Sequence, residues 1–169
     1  MLIRQANLQD AENLSALAIQ VWLHTYATEG VSSVVSRYVL SELSAKKFET
    51  VLTEDSSAIF VAENNDYLLG YAKLVVGTLC PVPTTEKIEL ATLYVQSPFL
   101  GKGVGGALLK HAEQCAKQRA NTSMWLATNS KNSRAIAFYA KHGYRKLGIT
   151  YFELGGEKHE NLVLGGKDA

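Results

Sequence analysis

The sequence predicts an α/β fold in which helices flank one mixed sheet. Three observations predict it. Stretches with period-two apolar alternation interleave with stretches whose apolar residues recur at three- and four-residue spacing. A glycine-rich segment joins a strand to a helix near residue 100. The chain has 169 residues, 47% apolar and 20% charged. A chain of this length buries roughly 70% of its unfolded surface as one domain, so residues 1–169 are expected to form a single domain.

The elements follow in order. Residues 2–6 read as a short strand. Asn7 or Asp10 caps a helix to about Thr25 that carries Leu14, Leu17, Ala18, Val21 and Trp22 on one face. Ser32 to about Glu54 reads as one or two further helices. Ser57–Glu63 and Tyr67–Val76 form a hairpin across Asn64-Asn65-Asp66. Residues 77–85, with Pro81 and Pro83, form a loop before a strand at 86–96. A helix then spans 103–120 with Val104, Leu108, Ala112 and Cys115 on its apolar face. Residues 123–128 make a short apolar strand and 132–142 a second helix. Residues 144–154 and 160–164 pair across Gly155-Gly156.

Composition excludes several classes. The two cysteines, Cys80 and Cys115, have neither Cys-x-x-Cys nor zinc-ligand spacing, which implies a reducing, cytoplasmic setting and no metal. The N-terminus lacks the blocks of a signal peptide. The longest apolar run, near residues 68–82, is interrupted by Lys73 and Pro81, so no membrane partner is expected. A net charge of +1 points away from nucleic acid. Residues 101–169 nevertheless hold eleven Lys/Arg against five acids, whereas residues 1–60 hold four against seven. That asymmetry suits an anionic cofactor bound by the C-terminal half.

The glycine segment runs Leu93-Tyr94-Val95-Gln96-Ser97-Pro98-Phe99-Leu100-Gly101-Lys102-Gly103-Val104-Gly105-Gly106. Glycines let the backbone approach a ligand, and the first turn of a helix offers unpaired N–H groups at a positive dipole end. Together they make an anion site. The dinucleotide pattern matches literally at Gly101–Gly106, but no acid follows in residues 121–129 to bind a ribose. A nucleotide P-loop needs Ser or Thr after the lysine, and Gly103 follows Lys102.

The segment resembles motif A of the GCN5-related N-acetyltransferases, the GNAT superfamily, whose loop reads Gln/Arg-x-x-Gly-x-Gly/Ala. Gly103 and Gly105 match, and Leu100 departs from the usual Gln or Arg. A second hallmark of the superfamily, Asn-x-x-Ala-x-x-Phe-Tyr-x-x-x-Gly-Phe/Tyr, is matched by Asn132, Ala135, Phe138, Tyr139, Gly143 and Tyr144. The resemblance implies a mostly antiparallel sheet flanked by helices, with acetyl-coenzyme A as cosubstrate. It implies cofactor contacts from Leu93, Tyr94, Val95, Leu100, Gly101, Lys102, Gly103, Val104, Gly105, Gly106, Asn132 and Tyr139.

It also implies acetyl transfer to an amine. An alkyl amine is neutral in about one molecule in a few thousand at pH 7, so a base is needed. Glu89 falls where the histone-type branch carries its catalytic glutamate, although it also reads as a strand carboxylate pairing with Lys87. Tyr139 matches the tyrosine that protonates the departing thiolate. Relatives often dimerise, which makes a homodimer an open expectation. The whole chain is similar to the PaiA-type spermine/spermidine acetyltransferases, which implies a small-molecule amine, a polyamine among the candidates. Trp22, His24, Tyr26, Glu29, Tyr38 and Glu42 on the first helices suit a cationic acceptor. A protein or peptide N-terminus, an amino sugar, and a non-catalytic sensor of acetyl-coenzyme A remain as alternatives.

Overall fold

A computed structural model describes residues 1–166. Its elements are β1 (Leu2–Gln5), α1 (Ala11–Tyr26), α2 (Ser33–Glu42), α3 (Ala45–Leu52), β2 (Ser57–Asn64), β3 (Tyr67–Val76), β4 (Ile88–Val95), α4 (Val104–Ala120), β5 (Met124–Asn129), α5 (Ser133–Lys141), β6 (Arg145–Leu154) and β7 (Glu157–Gly165). The strands form one sheet in the order β1-β2-β3-β4-β5-β7-β6. The β4–β5 pair is parallel, and β5–β7, β6–β7 and β1–β2 are antiparallel.

The described residues pack as two compact units: Met1–Leu74 with Thr92–Ala112, and Val75–Ala91 with residues 113–166. In the first, strand alternation splits β2 between two faces. Ile59 and Val61 pack with Ala11, Leu14, Leu17 and Ala18 of α1, Phe48 of α3 and Tyr71 of β3. Phe60, pointing the other way, meets the His111 ring of α4 at 4.6 Å between centroids. Burying each large aliphatic here is worth about 1.5–3 kcal/mol.

The entry to α1 is fixed by charge. Asn7 caps a 3-10 turn at Leu8–Asp10, and the Asp10 carboxylate accepts from the Asn7 N–H at 2.8 Å. Arg4 donates to both Asp10 oxygens at 2.8 Å and to Glu63 of β2 at 2.8 Å. The Arg4 guanidinium, with the Asn7 N–H assisting, holds the Asp10 carboxyl below the ordinary carboxylate range against the opposing effect of burial. A carboxyl whose folded pKa is depressed stabilises the fold above its unfolded pKa, about 3.9. That contribution is lost as pH falls through the folded value. Thermal midpoints of Asp10→Asn and the wild type should therefore differ at pH 7 and converge on acidification below pH ~4.

Residues 32–54 form two helices, one of the two readings that the sequence left open, separated at Leu43–Ser44 because Ser44 caps α3 by accepting from the Lys47 N–H at 3.4 Å. The other elements match the sequence reading with three differences. Strand β7 begins at Glu157, not 160, because Gly155 and Gly156, at φ 60° and 86°, make a two-residue turn that pairs Leu154 with Glu157. Strand β4 begins at Ile88, because Glu86 turns inward. Its carboxylate accepts from Ser123 Oγ at 2.7 Å and the Gly166 N–H at 3.0 Å. On α4 the fully buried positions are Leu108, Leu109, Ala112 and Ala116, and Cys115 is half-buried. No helix among the described residues is long and apolar enough to cross a membrane.

Candidate functional site

Within the first unit, β4 runs through Gln96 into a 3-10 turn at Ser97–Phe99 and then into α4. Phe99 N–H donates to Gln96 O at 2.9 Å and Leu100 N–H to Ser97 O at 3.2 Å. Gly101 and Gly103 stand at φ +74° and +84°, in the left-handed region that L side chains rarely adopt. A side-chain carbon built on either would meet nothing within 4 Å. The backbone therefore faces open space where a ligand can approach.

The first turn of a helix has no internal acceptors for its N–H groups. Helix α4 starts at Val104, and its first internal bond runs from the Ala107 N–H to Gly103 O at 3.0 Å. That leaves the N–H groups of Val104, Gly105 and Gly106 as donors at the positive end of the helix dipole, with those of Gly101 and Gly103 beside them. Buried Val104, Leu108 and Leu109 anchor the turn from below. Two expected contributors differ. The Leu100 N–H is already engaged with Ser97, and that of Lys102 with Phe99 O at 3.4 Å. The Lys102 ammonium lies 5.7 Å above the Phe99 ring. An array of main-chain donors with room in front of it and no acidic side chain in the loop fits a diphosphate.

Strand alternation sorts the β4 amides. Gln96 N–H donates to Leu69 O of β3 at 3.0 Å, and the Tyr94 ring meets Tyr71 of β3 at 5.7 Å. Tyr94 therefore turns its N–H toward β3, whereas Leu93 and Val95 turn theirs to the opposite edge. Gly70 of β3 makes the approach possible, because a side-chain carbon there would sit 2.5 Å from Tyr94 O. Of the three expected strand contacts, Leu93 and Val95 offer main-chain donors and Tyr94 does not.

The second unit holds Glu89, Asn132 and Tyr139. Glu89 is half-buried, and its Cα partner on β5 is Trp125. Asn132 caps α5: its Oδ1 accepts from the Ala135 N–H at 3.1 Å. The two Nδ2 donors take no part in that cap. Tyr139 is buried, its ring 5.2 Å from Phe138 and 5.7 Å from Tyr144. Burial, together with the neighbouring Glu113 carboxylate, pushes the Tyr144 phenol well up from its ordinary pKa.

Four of the expected acceptor residues gather in the first unit. Trp22 meets Tyr26 at 5.2 Å and Tyr38 at 5.0 Å. The Tyr38 phenol is pushed up by burial and by Glu42 one helical turn on. His24 and Glu29 are exposed. Among the described residues no group of three or more His, Cys, Asp or Glu side chains is arranged to hold a metal ion.

Residues 18–144 match the model of the acetyltransferase (GNAT) family. The chain belongs to that family. This GNAT chain is 30% identical over 154 residues to an uncharacterised N-acetyltransferase of Mycobacterium tuberculosis, covering 91% of this chain and 94% of the other. It is 24% identical over 147 residues to a spermidine N(1)-acetyltransferase of Thermoplasma acidophilum, covering 85% and 87%. Its fold is similar to the PaiA N-acetyltransferase of Thermoplasma acidophilum in complex with coenzyme A, with a TM-score of 0.79, 21% identity and 98% of each chain covered. The chain is thus a GNAT acetyltransferase with the family's cosubstrate, acetyl-coenzyme A.

Proposed function

We propose that residues 1–169 act as one acetyltransferase domain that moves the acetyl group of acetyl-coenzyme A to a primary amine of a small molecule, with a polyamine as first candidate. The observation that carries the reading is the set of unengaged N–H donors at Gly101 and Gly103–Gly106, with open space in front of Gly101 and Gly103. Hydrogen bonds to a charged group are worth about 1.5–3 kcal/mol each. Several together hold a diphosphate firmly.

Bound acetyl-coenzyme A supplies an acetyl thioester. The main-chain donors of Leu93 and Val95 bond the cofactor arm and polarise its carbonyl, a contribution whose loss costs roughly 2.7–4 kcal/mol per donor. Asn132 Nδ2 donates to the same arm while Oδ1 remains in the helix cap. Lys102 adds positive charge at the loop, and Leu100 closes the turn that leads into it. Glu89 accepts the proton that the incoming ammonium must lose. The Tyr139 hydroxyl donates a proton to the departing sulfur.

The polyamine preference is supported by the spermidine acetyltransferase relative and by the aromatic group of Trp22, Tyr26 and Tyr38 beside Glu42. Aromatic faces and a carboxylate attract an alkylammonium. A cytoplasmic setting and a homodimer belong to the same proposal. The test is a panel of polyamines, amino sugars and peptide N-termini incubated with acetyl-coenzyme A and read by mass spectrometry. Spermidine or spermine should gain one acetyl group. Cofactor binding without acetylation of any amine would favour a sensor instead.

A further inference from the structure

Strand β4 pairs with β5 at two positions, Ile88 with Met124 and Glu89 with Trp125. Beyond Trp125, residues Leu126–Asn129 of β5 pair with Leu164–Asn161 of β7. Glu89 and Trp125 are thus the last partners before the pairing ends. Directly paired residues of adjacent strands project to the same face of a sheet. On its other flank Trp125 pairs with Gly165, which has no side chain. Its own-strand neighbour on that face is the small residue Ala127, and Ser123, just before the strand, is small as well. The Ser123 hydroxyl hydrogen is committed to Glu86 at 2.7 Å.

Trp125 is 3% exposed, and its Nε1–H has no hydrogen-bond partner. A buried donor without an acceptor costs about 1–3 kcal/mol. Apolar packing alone would be served as well by phenylalanine. Buried polar groups that lack a protein partner are commonly satisfied by an ordered water that makes about three hydrogen bonds. Of the two carboxylates in this region, Glu86 is taken up by Ser123 Oγ and the Gly166 N–H, and Glu89 is the direct partner of Trp125 in the strand register.

We propose that Trp125 is a positioning residue for the base: its indole N–H holds a water whose hydrogen is donated to the Glu89 carboxylate. The inference rests on the acetyl-transfer reading above. In the transfer step the attacking ammonium gives a proton to this water as the water gives one to Glu89. The N–H bond of the ammonium breaks, an O–H bond forms on Glu89, and the water is regenerated. No oxidant or reductant is involved. The indole fixes the water's lone pair geometry, so that the proton passes along one defined path to the carboxylate.

Trp125→Phe keeps an aromatic ring and deletes the donor. Turnover should fall about tenfold or more, while KM and Kd for acetyl-coenzyme A stay within about twofold, a split that loosened packing would not produce. An independent readout uses the full-length protein labelled with ¹⁵N. Two indole N–H signals are expected, from Trp22 and Trp125, and Trp125→Phe, which removes one of them, assigns both. Glu89→Gln should shift the Trp125 signal and leave that of Trp22 in place. An unmoved Trp125 signal in Glu89→Gln, or wild-type turnover in Trp125→Phe, overturns the inference and leaves acetyl transfer standing. A wild-type protein inert toward every amine overturns both.

Discussion

Gly103→Asp should abolish detectable coenzyme A binding while leaving the fold intact. Gly103 sits at φ +84° immediately before α4 and has nothing within 4 Å of the position a side-chain carbon would take. The protein itself therefore has room for the new side chain, at a backbone cost of about 1–2 kcal/mol. The carboxylate lies one residue before the helix, where aspartate is a favoured cap. From there it competes for the first-turn N–H groups that the diphosphate needs and adds negative charge beside them. Losing two charged hydrogen bonds, at about 1.5–3 kcal/mol each, weakens binding by roughly 10²–10⁴-fold. Calorimetric titration of coenzyme A measures this directly, and circular dichroism checks the fold. Gly103→Ala carries the backbone strain without the charge and should lose far less. Equal losses in the two variants would mean that strain, not occupation of the anion site, is responsible.

Tyr139→Phe should lower kcat by about 10²-fold or more with the affinity for acetyl-coenzyme A nearly unchanged. Proton transfer by a positioned side chain contributes about 10²–10⁴-fold. The substitution keeps the ring that packs 5.2 Å from Phe138 and 5.7 Å from Tyr144. The stability change should be on the order of 1 kcal/mol, the net worth of a typical hydrogen bond. Stopped-flow thiol release under saturating cofactor separates chemistry from product release. A wild-type rate would remove Tyr139 from the proton path.

Features encoded by local chemistry were readable from the sequence. Asn132 reads as a cap because its side chain needs only the N–H three residues on, and the structure has that bond. The turn at Asn65-Asp66 follows from residues that tolerate positive φ, at 49° and 68°. The positive φ of Gly101 and Gly103, at 74° and 84°, follows for the same local reason. What was not readable depends on partners distant in sequence. That β7 lies between β5 and β6 follows from packing, not from any local pattern. The inward turn of Glu86 needs Ser123 and Gly166, tens of residues away.

The composition of the donor set also needed coordinates. Leu100 and Tyr94 look equivalent to their neighbours in sequence. Ser97 O occupies the first, and the β3 register turns the second away. Trp125 passes in sequence as one more apolar strand residue. An indole in a short buried strand is the signal that was available, since its N–H must find an acceptor. Only the pairing with Glu89 gives that signal a direction.

The central claim is that main-chain donors at the start of α4 clasp the cofactor's diphosphate. Amide ¹H–¹⁵N spectra recorded through a titration with coenzyme A test it residue by residue. The signals of Gly101, Gly103, Val104, Gly105 and Gly106 should move strongly downfield, and those of Leu100 and Lys102, whose N–H groups are already bonded within the loop, should move less. Saturable binding that leaves these five signals in place and shifts amides elsewhere would contradict the account.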